Sequence, residues 1–230
     1  MGVTAMVLAA GRGERLRPLT DSAPKPLLPL AGKPIIEYQL EGLARAGFRD
    51  VVVNVAWLGH MLVEALGDGS RFGLRLQISD EGAKGLETGG GICKALPLLG
   101  AGPFAVVNGD VYTDYDYRML YDRLQTLPDE IDAHLVLVPN PDPEKSGDFA
   151  LQDGLVVDQP ALTFSGIGIY RPTLFQGIAE SSFPLAPLLR EAMQRRAVSG
   201  EAWSGHWVDC GTVERLQTLD AQLRAGALSP

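Results

Sequence analysis

Residues 4–26 read TAMVLAAGRGERLRPLTDSAPKP. The run Thr4–Ala9 is short and apolar, and it stops at Ala10-Gly11-Arg12-Gly13. An unbroken apolar run of this length bounded by glycines reads as a strand buried on both faces that turns sharply into a loop. Strands of that kind belong to parallel sheets with helices on both sides. The chain repeats the pattern outward from this point. Val51–Val55 and Phe104–Val107 are further buried runs, and Leu74–Ile78 alternates as a third strand. Between them, apolar residues at helical spacing run through Ile35, Leu40, Leu43 and Phe48, with Pro34 suited to the first turn and Gly47 to the end. A second helical stripe spans Trp57–Leu66, and Thr88 is expected to cap a third helix through Leu96. Strand and helix alternate in this way over the first 110 residues, so an α/β fold with a mostly parallel central sheet follows.

The second half reads as richer in strands. Ala133–Val138 is one; Phe149–Leu151 and Leu155–Val157 flank Asp153-Gly154, a hairpin signal; Thr163–Tyr170 is another. Leu185–Met193 and Val213–Leu223 read as helices. No repeat or low-complexity linker separates the halves, so one domain over residues 1–230 is expected.

Composition excludes several classes. Lys and Arg number 20 against 28 Asp and Glu, a net charge of −8, the reverse of a nucleic-acid binder. Cys93 and Cys210 have no metal-ligand spacing, so a reduced, cytoplasmic setting is expected. No apolar run approaches a membrane span, and no signal peptide is expected. His60, His134 and His206 read as structural, and Trp57, Trp203 and Trp207 as packing residues.

Two features of the opening stretch carry chemistry. Successive amides in a tight glycine loop can cradle an anion, and Arg12 and Arg15 add guanidinium charge. A dinucleotide fingerprint would need glycine where Leu16 stands, and a Walker loop would need Ser or Thr after Gly32-Lys33, where Pro34 stands. The second feature is Pro24-Lys25-Pro26; the prolines bias Lys25 toward an extended backbone and a fixed aim.

Taken together, Gly-x-Gly-x-Arg-Leu-x-Pro-Leu-Thr followed by Pro-Lys-Pro resembles the signature of the sugar-1-phosphate nucleotidyltransferases. The resemblance implies a Rossmann-like nucleotidyltransferase fold that joins a nucleoside triphosphate to a sugar 1-phosphate and releases pyrophosphate. Residues 1–110 would form the nucleotide-binding half and 111–230 the sugar-phosphate half. Glu14 stands where relatives usually have Thr. Ala10, Gly11, Arg12, Gly13 and Lys25 would bind the nucleotide, with Arg15 on its distal phosphates and Lys25 on the α-phosphate. Leu86-Glu87-Thr88-Gly89-Gly90-Gly91 looks like the second nucleotide segment, where Thr88, Gly89 and Gly90 would let base or ribose lie on the backbone and Glu81 would meet the base edge.

Asn108-Gly109-Asp110 and Trp207-Val208-Asp209-Cys210-Gly211-Thr212 resemble the family's metal segments. They imply Mg²⁺ on Asp110 and Asp209, with Asn108 facing the sugar; Thr113 and Asp114 read instead as helix caps. Gly147, Asp148, Ser165 and Gly166 fall where relatives hold the sugar phosphate. One departure stands out: the lysine that relatives place on that phosphate has no counterpart between Asp153 and Thr163. The motifs are most like those of uridylyltransferase members, which implies UTP; guanylyltransferases and a catalytically silent regulatory subunit are the alternatives. Small-molecule substrates, no nucleic acid, no membrane, and a monomer or weak homo-oligomer complete the expectation.

Overall fold

The computed structural model describes residues 3–142, 144 and 146–228. In chain order the elements are β1 (Thr4–Leu8), α1 (Leu19–Ser22), β2 (Pro29–Leu30), β3 (Lys33–Pro34), α2 (Ile35–Ala46), β4 (Asp50–Val55), α3 (Gly59–Leu66), β5 (Arg75–Asp80), α4 (Glu87–Leu99) and β6 (Phe104–Asn108). Then come β7 (Val111–Thr113), α5 (Tyr117–Gln125), β8 (Ala133–Val138), β9 (Phe149–Gln152), β10 (Leu155–Tyr170), α6 (Ala186–Gln194), β11 (Val198–Ala202), β12 (Trp207–Asp209) and α7 (Val213–Arg224).

The main sheet runs β11-β8-β10-β6-β1-β4-β5, with β9 on β10. Strands β6, β1, β4 and β5 run parallel to one another. Alternate residues of β1 explain why its apolar run is continuous: Ala5 and Val7 pack with α2 and α3 residues such as Leu40 and Leu62, while Met6 packs with Ile92 and Ala95 of α4. Strand β10 is antiparallel to β6 and β8, so the second half joins the same sheet through a strand of opposite direction.

The chain crosses from β1 to β4 and β5 on one side, then returns to lay β6 on the other side of β1. Such a reversal opens a crevice at the carboxyl ends of the strands, where ligands of open α/β sheets bind. The Gly11–Gly13 loop leaves β1 there, and Asn108-Gly109-Asp110 leaves β6 there, with Leu8 paired to Asn108.

Several local expectations are corrected. The runs 155–157 and 163–170 are one strand with an irregularity between Phe164 and Ile167; its length comes from pairing with β9, β8 and β6 in turn. The hairpin turn itself is as read, with Asp153 and Gly154 both at positive φ. Asp116, rather than Thr113 or Asp114, caps α5 by accepting from Arg118 N. Thr113 Oγ1 donates to His206 O, and Asp114 accepts from Trp203 Nε1, so both tie the second half together. Thr88 lies inside α4 and caps nothing; the chain enters that helix through Glu87 at φ 59. Among the described residues no helix is long and apolar enough to cross a membrane.

Candidate active site

The glycine loop is built around Thr20 and Trp57. Thr20 Oγ1 donates to Gly13 O at 2.8 Å, and Gly13 adopts φ 68. A Cβ on Gly13 would fall 2.8 Å from Thr20 Cγ2 and 3.1 Å from Lys25 Cβ, so glycine is what lets the loop close on the lysine. The Arg12 guanidinium lies 3.8 Å over the Trp57 ring, donates to Thr20 O at 2.9 Å and pairs with Asp21. Trp57 thus packs as read, and its partner is the loop arginine.

Lys25 is not extended. Leu28 N bonds to its carbonyl in a single 3-10 turn over Lys25–Leu27, because Leu16, Leu28 and Leu30 must all reach the small core under α7. The side chain is 8% exposed. Its ammonium is paired with Asp110 Oδ2 and stands 3.7 Å from Asp209 Oδ1. Asp209 reaches this point because β12 pairs antiparallel with β7, placing Asp209 opposite Val111, and Cys210 N donates to Asp110 O. Burial beneath α7 pushes the Cys210 thiol up to about 12, which makes it an inert core residue.

Two cavities meet at this cluster. The first, about 320 Å³, is lined by Ala10, Gly11, Arg12, Asn108, Asp110 and the segment from Glu81 to Thr88. The second, about 550 Å³, is lined by Asp209, Arg15, Arg215, Gly147, Asp148, Asn140, Thr163 and Trp207. Asp110 belongs to the first, Asp209 to the second, and Lys25 joins them.

Several other expected site residues meet protein partners, and others line the cavities. Glu81 is buried and both its oxygens are engaged: Oε1 accepts from Asn54 Nδ2 and Oε2 from Leu86 N, each at 2.6 Å. Asn54 Oδ1 in turn accepts from Ala9 N. Glu81 therefore clamps the rim of the first cavity onto β1 and does not present a free edge to a base. Asn54 was missed, although a lone polar residue inside the buried run Val51–Val55 was its signal. The Gly89 and Gly90 amides both donate to Phe183 O, and a Cβ on either would strike the 181–183 segment. Their glycine character serves that close packing. Ser165 is buried, with Oγ donating to Val136 O and accepting from Ile167 N, so its hydroxyl stabilises the irregular stretch of β10. Gly166, at φ 79, brings β10 against the Asn108 side chain. Asp148 accepts from Phe164 N beside Gly147, and Asn108 lines the first cavity. Arg15, 68% exposed and 3.9 Å from Asp209, lines the second cavity and not the first. Arg215, 3.3 Å from the same Asp209 oxygen, was missed.

Among the described residues no group of three or more His, Cys, Asp and Glu is placed to hold a metal. Asp110 and Asp209 are two hard carboxylates directed at one point, a donor pair of the kind that suits a divalent cation completing its shell with phosphate and water oxygens. His134 is structural, buried with Nδ1 2.8 Å from Ser199 Oγ and Nε2 3.8 Å from Glu201. That histidine holds the Glu201 carboxyl below its usual range.

Comparison with known proteins follows the same lines. The chain is 53% identical over 229 residues to an N-acetylmuramate alpha-1-phosphate uridylyltransferase from Neisseria meningitidis, covering 97% of this chain and 98% of that one. It is 35% identical to a protein of the same name from Caulobacter vibrioides, covering 95% and 96%. Among solved structures, a Bacillus anthracis protein described as a glucose-1-phosphate thymidylyltransferase superposes with a TM-score of 0.87 at 21% identity, covering 97% and 96%, a likeness of fold. The sequence also matches the pattern described as Nucleotidyl transferase over residues 4–226. That match runs through both halves of the sheet and not through the glycine loop alone, so the chain belongs to the nucleotidyl transferase family.

Proposed function

We propose that this chain transfers a uridylyl group from UTP to N-acetylmuramate α-1-phosphate, giving UDP-N-acetylmuramate and pyrophosphate. The observation that carries the chemistry is the meeting of two cavities at Lys25, Asp110 and Asp209. A transfer between two phosphorylated substrates needs such a junction, with one substrate on each side of the transferred group. Uridine and N-acetylmuramate come from the names of the two near-full-length relatives.

On this reading UTP occupies the first cavity, whose volume falls in the range of small-ligand sites. The Gly11–Gly13 loop and Arg12 hold its phosphates, and the Glu81–Asn54 clamp keeps the rim in place. The sugar phosphate enters the second cavity beside Asp209. Its oxygen attacks the α-phosphorus in line, and pyrophosphate leaves from the opposite side; no covalent intermediate on the chain is required. Lys25 stabilises charge on the α-phosphate, while Arg15 lines the second cavity beside Asp209. Catalysis is then positioning plus charge neutralisation. Asp110 and Asp209 would hold Mg²⁺, which when bound neutralises phosphate charge at the junction. We place the reaction in the cytoplasm, in peptidoglycan recycling.

Pyrophosphate release tests this across UTP, GTP and dTTP, each with the 1-phosphates of N-acetylmuramate, N-acetylglucosamine, mannose and glucose. The highest kcat/KM is expected for UTP with N-acetylmuramate 1-phosphate. A higher value for GTP with mannose 1-phosphate would replace this reading with the guanylyltransferase one.

A further inference from the structure

The geometry points to Arg215 as the residue that binds the phosphate of the sugar substrate, a role that rests on the transferase reading of the second cavity. Four observations lead there. Arg215 Nη1 is 3.3 Å from Asp209 Oδ2, and Arg15 Nη2 approaches the same oxygen at 3.9 Å. The other oxygen of Asp209 faces Lys25. Three cations therefore converge on Asp110 and Asp209, and among the described residues Arg15 and Arg215 are the cations of a second cavity whose charged lining is otherwise Asp142, Glu144, Asp148 and Asp209.

Secondly, Arg215 lines the second cavity with its guanidinium directed at Asp209. Thirdly, it occupies the first turn of α7, where the helix dipole disfavours a cation. Local helix stability therefore gives no reason for an arginine at this position. Finally, its backbone is fixed: Arg215 N donates to Thr212 Oγ1, the cap of α7, and α7 packs through Leu216 and Leu219 onto the small core beside Cys210. A guanidinium on a pinned helical turn offers two parallel donors to a phosphate with little ordering cost. Among the described residues between Asp153 and Thr163 there is no lysine to do this. On substrate entry the Arg215 guanidinium turns from Asp209 to the phosphate oxygens and leaves the carboxylate available at the junction.

Steady-state kinetics of Arg215→Gln and Arg215→Lys test this with the substrate pair that the panel identifies. For Arg215→Gln the KM of the sugar 1-phosphate should rise roughly 10- to 100-fold, the loss of a charge-assisted hydrogen bond. The KM of UTP and the half-saturating magnesium concentration should stay within about twofold. Arg215→Lys should recover part of the loss, since it restores charge but not the fork. Glucose 1-phosphate, used as a competitive inhibitor, separates phosphate from sugar recognition: its Ki should rise by the same factor. An unchanged sugar-phosphate KM overturns the assignment. So does an equal rise in both substrate KM values, or a change in magnesium dependence alone, which would make Arg215 a positioning residue for Asp209. A loss confined to N-acetylmuramate 1-phosphate with an unchanged glucose 1-phosphate Ki overturns it too. If another nucleotide and sugar pair turns over best, the substrate reading fails, and the same KM split on that pair still decides Arg215.

Discussion

In the proposed mechanism Lys25 is the residue on which most of the chemistry turns, and its surroundings set what its loss should do. It is nearly buried, paired with Asp110 and close to Asp209. Lys25→Ala leaves Asp110 without its paired cation and withdraws the positive charge proposed to act on the transferred phosphate. By comparison with the loss of one oxyanion donor, kcat should fall about 10²- to 10³-fold. UTP affinity should fall much less, because Arg12 and the glycine loop remain. Single-turnover rates alongside calorimetric UTP binding check this; collapsed affinity with a normal saturated rate would make Lys25 a binding residue. Asp209→Asn should abolish most activity and raise the magnesium requirement while circular dichroism stays native, since a neutral amide is a poor magnesium ligand. Normal rate and normal metal dependence would remove Asp209 from the site.

Elements place these residues, and α4 shows how closely. Its first turn is joined to the 181–183 segment by the Gly89 and Gly90 amides on Phe183 O, and by Phe183 N on Leu86 O. Gly90→Ala would drive a methyl group into the Ser181 carbonyl. Backbone cannot rotate away as a flexible side chain does, so the segment must shift. Overpacking of this kind costs about 1–3 kcal/mol. A lower Tm and faster proteolytic cleavage within residues 176–184 are expected. Unchanged Tm and cleavage would mean that the segment yields freely, and that the glycines are there for some other reason.

Over the whole molecule, β10 joins the halves. It pairs with β6 of the parallel part and with β8 and β9 of the antiparallel part. The β7–β12 ribbon adds a second link, and α7 covers the loop that carries Lys25. We propose that the two halves unfold as one unit. Far-UV circular dichroism follows helices from both, Trp57 reports on the first half, and Trp203 and Trp207 on the second. Denaturation should give one midpoint by all probes. Separated midpoints, or a Trp57→Phe variant whose remaining fluorescence gives a midpoint different from that of circular dichroism, would show two domains instead.

The sequence by itself determined the parallel half of the fold and marked the groups that we propose react. Runs such as Val51–Val55, apolar on both faces, have few alternatives to a strand under two layers of helix, and glycines at their ends mark the loops. Lys25, Asp110 and Asp209 were legible because their residue types stand in spaced motifs. Tertiary structure alone decided what each group meets. The turn at Lys25 is imposed by three leucines reaching one core, against the local preference of a residue before proline. Glu81 and Ser165 carry polar groups suited to a ligand, but burial obliges those groups to satisfy Leu86 N, Asn54, Ile167 N and Val136 O instead. Arg215 looks like any helical arginine until the β7–β12 pairing brings Asp209 beside it. Hydrophobic period is a property of neighbours in sequence; charge partners and hydrogen-bond partners are properties of neighbours in space, and long-range pairing creates those only once the chain has folded.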